Sequence, residues 1–180
     1  YFTFGRFQPP TSGHRDSFRG VARTAGTHDY RIYISQTHDT KGKNPLPPDR
    51  KLFWLNKMFP EHKGKFHSGP REPVAIMKDL MMGGYDEAVF LVGSDRVAAM
   101  QFLHKYNGND KDFSFRTLEI ISSGSRDADG DTFAVSGTKM RRAAFAGDFK
   151  AFRLGIPNLS DQDCAKMMAE ISLNLPKNFK

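Results

Sequence analysis

Two short stretches of this chain carry residue types able to hold a phosphate chain. The first, GRFQPPTSGH at 5–14, lies where an aromatic, extended run gives way to a helix-like one. Gly5 and Gly13 allow a ligand close to the backbone, and Thr11 or Ser12 can cap the helix that follows. The exposed N–H groups at that helix start, with the helix dipole behind them, attract an anion. Arg6 and His14 flank Phe7 and the prolines and add side-chain donors. The second stretch, VSGTKMRRAAFAGDF at 135–149, again runs from an extended piece into a helix. Ser136 and Thr138 can cap, Gly137 admits close approach, and Thr138 and Arg141 stand at i and i+3 on one helical face. A triphosphate lying across this helix start would meet a hydroxyl, N–H groups and a guanidinium together. Taken singly, each stretch also reads as an ordinary capped helix, one with a surface histidine and the other with a basic flank.

Three further sets carry weaker signals. In LVGSDR at 91–96, Gly93 permits backbone approach to a base or ribose, and Asp95 can accept from ribose hydroxyls or cap the next helix. In THDTKGKNP at 37–45, Lys41 and Lys43 can meet phosphate or remain in solvent, with Asn44 beside them in a proline-rich loop at 44–49. Trp54 can stack on an acceptor ring if its helix faces the pocket; otherwise it belongs to the core. Other chemistries lack their residues. The chain has no G-x-x-x-x-G-K-[ST] and no G-x-G-x-x-G after a strand. The six histidines form no H-x-x-x-H or H-x-x-E pair and there is a single cysteine, Cys164, so a structural metal is not expected.

The elements that must position these residues alternate. Strand-like runs at 1–7, 30–35, 88–93 and 115–121, with a weaker one at 65–68, are rich in aromatic and β-branched residues. Helix-like stretches at 14–25, 49–59, 72–82 and 96–105 lie between them. Such alternation predicts an α/β fold, a Rossmann-like parallel sheet of about five strands with helices on both faces. Ligands then bind at the carboxyl edge of the strands. A loop at 122–133 reads as mobile, and helices at 138–146, 148–154 and 160–173 close the chain. The domain expected to carry the chemistry is 1–154, with 155–180 a helical extension packed on it.

With 180 residues, 38% hydrophobic and 26% charged, the chain has the size and composition of one globular domain. No run approaches the length of a membrane span, and the opening YFTFGRF, which lacks an initiator Met, shows neither a basic nor an apolar signal region. A lone cysteine suits a reducing compartment, and the cytoplasm is expected. The formal charge of +7 favours anionic partners. Basic residues mix with acidic ones throughout, so a phosphorylated small molecule fits better than nucleic acid.

The ordered pair Thr11-Ser12-Gly13-His14 and Val135-Ser136-Gly137-Thr138-Lys139-Met140-Arg141 closely resembles the [HT]-x-G-H and I-S-S-T-x-x-R motifs of the nucleotidyltransferase superfamily. GRFQPP before the first motif is similar to the nicotinamide mononucleotide adenylyltransferase branch, as are SQTHDTKGKNPLPPDRK after the second strand and LVGSDR. The resemblance covers about the first 150 residues. Thr11 stands where the family often has histidine, and Gly137 where it has a second serine. The resemblance implies Mg²⁺-dependent transfer of AMP from ATP to a phosphorylated acceptor, most simply nicotinamide mononucleotide, with release of pyrophosphate. His14, Thr11 and Arg141 would be catalytic. Gly5, Arg6, Phe7, Gly13, Gly93, Asp95, Ser136, Gly137 and Thr138 would bind nucleotide, and Lys43, Asn44 and Trp54 the acceptor. Mg²⁺ would ride on the triphosphate without protein ligands, and a homo-oligomer is compatible. A cytidylyltransferase, another acceptor, or a non-catalytic nucleotide-binding module of a larger assembly share the same motifs. A nucleic-acid binder is the remaining class.

Overall fold

A computed structural model of the chain describes residues 1–70, 72–108, 111–124 and 135–179. Five strands, β1 (Phe2–Gly5), β2 (Arg31–Ile34), β3 (Phe66–Ser68), β4 (Glu87–Val92) and β5 (Thr117–Ser122), form one sheet in the order β3-β2-β1-β4-β5. Every pairing is parallel, so the chain must cross back after each strand. The crossovers contain helices α1 (His14–Ala25), α2 (Pro48–Met58), α3 (Pro73–Met82) and the short α4 (Val97–Met100). The α/β alternation legible in the sequence is therefore the architecture of the molecule, and it is consistent with a Rossmann-like fold.

Strand side chains alternate between two cores. Ile32, Ile34 and Leu91 join Phe18 and Val21 of α1 and Trp54, Leu55 and Met58 of α2 on one face. Phe2, Tyr33, Phe90, Leu118 and Ile120 meet Ile76, Met77 and Leu80 of α3 on the other. The strand order reverses at β1: α1 and α2 cover one face, whereas α3 crosses the other to reach β4. In sheets of this kind the carboxyl edge beside such a reversal is where ligands are commonly received.

Among the described residues after β5 are the helices α5 (Gly137–Ala146), α6 (Phe149–Leu154) and α7 (Asp161–Leu173). Cys164, Met167 and Ile171 of α7 are fully buried in the same core as α1 and α2. Burying side chains of this size contributes about 1.5–3 kcal/mol each, so residues 155–179 are part of the body that holds the site. Among the described residues no helix is long and apolar enough to cross a membrane.

Two local expectations change. The run at 96–105 is not one α-helix but 3-10 turns at Ser94–Arg96 and Gln101–Tyr106 around α4. Leu103 is its one buried residue, so the segment lacks the apolar stripe that holds a regular helix against a sheet. The first strand stops at Gly5 because Phe7 takes a positive φ of 47° and turns its ring back over that glycine. Most of the loop expected at 122–133 lies outside the described residues.

Candidate functional site

Arg141 joins the two motif-bearing stretches. Ser136 is the N-cap of α5, its hydroxyl accepting from the Lys139 N–H at 3.2 Å. One turn on, Arg141 Nη2 donates to Thr138 Oγ1 at 3.1 Å and Nη1 donates to the Gln8 carbonyl at 2.7 Å. The start of α5 is thus tied to the loop between β1 and α1. Gly137 makes this approach possible, since a Cβ there would lie 2.8 Å from the Gln8 carbonyl oxygen. At position 137 this helix sits too close to the loop for any side chain.

On the other side, the α1 N-cap is Gly13 and receives no side-chain cap, contrary to the capping role expected of Thr11 or Ser12. Their carbonyls instead accept from the N–H groups of His14 and Arg15. The Thr11 side chain turns to the His14 ring, with Oγ1 3.1 Å from Nδ1. The Thr11 backbone N–H donates to the same nitrogen at 2.9 Å. A backbone N–H can only donate, so Nδ1 is the bare acceptor and Nε2 carries the hydrogen. The rings of Phe7, edge-on at 5.0 Å, and Phe18, stacked at 6.2 Å, fix the imidazole plane. The result is a neutral histidine held as an Nε2–H donor at a helix start.

Glycines 5 and 13 differ in what they serve. The space a Gly5 side chain would take is filled by the Phe7 ring, so Gly5 yields to the protein's own packing and not to a ligand. Gly13 is exposed and has a helical φ of −61°, and a Cβ there would meet only ordinary contacts, Thr11 Oγ1 at 3.6 Å and the Val135 carbonyl at 3.9 Å. The fold itself therefore tolerates alanine at 13. If the phosphate chain lies against this backbone, Gly13→Ala should keep its melting temperature within about 2 °C and lose about tenfold or more in kcat/KM. Gly137→Ala should lose both. Calorimetry and initial rates separate the two, and an unchanged Gly13→Ala rate would remove Gly13 from the phosphate contact.

Positive charge lies near the start of α5. Arg6 leaves β1 into solvent near Arg141, and the Arg141 pKa is lowered first by burial and then by the Arg6 charge, with Asp39 opposing. Arg141 Nε is buried without a hydrogen-bond partner. Among the described residues Arg6 and Asp39 are the charged groups acting on Arg141, and Asp39 is engaged by the Asn44 amide at 2.5 Å and the Lys41 N–H at 2.9 Å. Among the described residues no three or more His, Cys, Asp or Glu side chains group to hold a metal. Asn44 is buried and closes its own loop, its Oδ1 lacking a hydrogen-bond partner, while Lys43 is exposed. Trp54 is enclosed in the core with its indole N–H given to Glu170 Oε2 at 2.8 Å, so it presents no face for stacking. Gly93 ends β4 beside β1, and Asp95 is exposed in the turn that follows, capping neither helical segment.

Two buried polar residues were missed in the sequence. Gln8 forks onto Leu46, accepting its N–H at 2.9 Å and donating to its carbonyl at 2.7 Å, and reaches the Thr37 carbonyl at 3.3 Å. Nothing in the spacing around Gln8 marks it as buried. Lys51 is fully buried, its ammonium donating to the carbonyls of Ser35, Arg6 and Thr37. Here a signal existed: Lys51 precedes Trp54, Leu55 and Met58 by three, four and seven positions, on the apolar face of α2.

Burial pulls the Lys51 pKa down from 10.5 to about 8. Between these values the unfolded chain binds more protons at this position, so folding is favoured as pH rises through the window. The charged amine correspondingly costs stability below pH 8. Relative to Lys51→Met, the wild-type unfolding free energy should therefore climb from pH 8 to 10.5. Urea titrations across that range check this; a flat difference would contradict a depressed pKa.

Searches of protein-family models, curated proteins and solved structures for relatives of this chain returned no match.

Proposed function

We propose that this chain is a nucleotidyltransferase that moves the AMP moiety of ATP onto a phosphorylated acceptor, with nicotinamide mononucleotide as the leading candidate, forming NAD and pyrophosphate. The observation that carries the reading is the Arg141 bridge, which brings the α5 start to the loop bearing Thr11 and His14 at the carboxyl edge of the sheet. Two helix starts, two guanidinium groups and an imidazole N–H donor suit a triphosphate better than any uncharged ligand. Burial first, and the Arg6 charge second, lower the Arg141 pKa, and a cation so placed gains when an anion comes beside it.

An ionised oxygen of the acceptor's phosphate monoester attacks the α-phosphorus of ATP. The bond from that phosphorus to the bridging oxygen breaks, and pyrophosphate leaves with the electron pair. The nucleophile is already an anion, so no general base is needed; orientation and charge stabilisation remain. His14 donates its Nε2–H to the α-phosphate as charge builds there, held in that tautomer by Thr11. Arg141 and Arg6 hold the β- and γ-phosphates, and the α5 start adds Thr138 and backbone N–H groups. Gly93 and Asp95, on the β4 lip, receive the ribose and base. Mg²⁺ would come as part of the nucleotide, where it would neutralise phosphate charge. A buried Cys164 thiol suits a reducing setting, and we place the activity in the cytoplasm.

Incubation with Mg²⁺, each nucleoside triphosphate and a panel of phosphorylated acceptors tests the reading. ATP with nicotinamide mononucleotide should release pyrophosphate and form NAD. Turnover of CTP with a polyol phosphate alone would reassign base and acceptor, and no turnover with any pair would remove the catalytic reading.

A further inference from the structure

The loop between β2 and α2 borders the phosphate site: Gln8 holds it at Thr37 and Leu46, Asp39 lies in the field of Arg141, and Lys41 and Lys43 stand exposed on it. Inside the loop, Asp39 accepts from Lys41 and Asn44, and its own N–H reaches the Asn44 carbonyl at 2.9 Å. The loop's middle residue, Gly42, is nonetheless buried, and what covers it comes from the far end of the chain. A Cβ at Gly42 would lie 2.7 Å from the Phe179 ring and 3.4 Å from Pro176, and Gly42 has a φ of +97° that few other residues adopt.

The covering segment is anchored on both sides. Glu170 of α7 takes Arg50 with both carboxylate oxygens, at 3.1 and 2.5 Å, and also accepts from Trp54, fixing α7 to α2 just after the loop. Beyond α7, the Phe179 N–H returns to the Pro176 carbonyl at 3.0 Å, and the Phe179 ring packs 5.7 Å from that of Phe145 on α5. One aromatic ring therefore touches the loop on one side and, on the other, the helix that carries Ser136, Thr138 and Arg141.

We infer that Phe179 is a positioning residue: it seats Gly42 so that the loop holds Lys41 and Lys43 in place for the phosphorylated acceptor, without touching substrate itself. The acceptor part rests on the nucleotidyltransferase reading; the seating does not. Trypsin cleavage after Lys41 and Lys43 reports the seating directly, since a protease needs the loop to open locally. In Phe179→Ala, cleavage at these two bonds should quicken by about tenfold while other tryptic sites keep their rates. The acceptor KM should rise about fivefold or more, with kcat and the ATP KM within about twofold. Phe179→Tyr, which keeps the ring, should behave as wild type. Phe179→Leu, a bulky variant for use if alanine fails to fold, should show the same selective cleavage. Unchanged cleavage in both variants, or a uniform rise at every tryptic site with a lower melting temperature, would overturn the proposal. A rise in the ATP KM equal to that of the acceptor would overturn its acceptor part. If wild type turns over no acceptor, the catalytic reading falls and the cleavage rates alone decide the seating.

Discussion

Replacing His14 by alanine should lower kcat for pyrophosphate release by about 10²-fold or more, with ATP affinity changed only a few-fold. The reason is the ring's orientation. Thr11 holds Nδ1 as an acceptor, which leaves the hydrogen on Nε2, and Phe7 and Phe18 fix the imidazole plane. A donor fixed before the reaction stabilises charge that appears on the α-phosphate oxygens in the transition state, and one such donor is worth about 2.7–4 kcal/mol. His14→Gln keeps an N–H donor on a shorter, less constrained side chain and should recover part of the loss. An unchanged kcat in His14→Ala would take the histidine out of the chemistry, and a large loss of ATP affinity with kcat intact would make it a ground-state contact.

Arg141 should matter far more than its neighbour. Arg141 is half-buried and reaches both Gln8 and Thr138, whereas Arg142, about 100° further round the helix, is exposed. Arg141→Ala removes the proposed phosphate ligand and the tie between Gln8 and α5 together, so kcat/KM for ATP should fall by about 10²-fold or more. Arg141→Lys keeps the charge but cannot reach the Gln8 carbonyl, Thr138 and phosphate oxygens from one planar group, and should still lose about tenfold. Arg142→Ala should stay within about twofold, because its charge is screened by solvent. The comparison is of kcat/KM in the three variants after circular dichroism shows each one folded. Equal losses at 141 and 142 would mean that the helix presents a general basic face.

The parts of this site legible in the sequence are those set by local geometry. Ser136 caps α5 and Thr138 meets Arg141 one turn later, because cap preference and helical pitch act over three or four residues. The parallel sheet was legible for a similar reason: apolar runs alternating with helical periods leave few other ways to bury both faces. What could not be read depends on backbone turns that residue types do not announce and on contacts beyond the reach of a helical or strand repeat. Gly5 looked like a ligand-facing glycine, yet its space belongs to Phe7 two residues on, through a positive φ that nothing in the residue type announces. Gly137 looked like a missing hydroxyl, and its reason appears only when α5 is brought against Gln8. Trp54 and Asn44 turned inward because Glu170 and Asp39 supply partners that no spacing rule connects to them. The residues after 154 supply α7 and the ring that covers Gly42.

The central claim is that this cradle directs attack to the α-phosphorus, and the fate of that atom tests it most directly. With ATP labelled at the α-phosphorus and nicotinamide mononucleotide as acceptor, phosphorus NMR of the products should show the label in the dinucleotide bridge, with β- and γ-phosphorus released together as pyrophosphate. Transfer of the γ-phosphorus with formation of ADP would contradict the account, as would a label that stays in ATP across the whole acceptor panel.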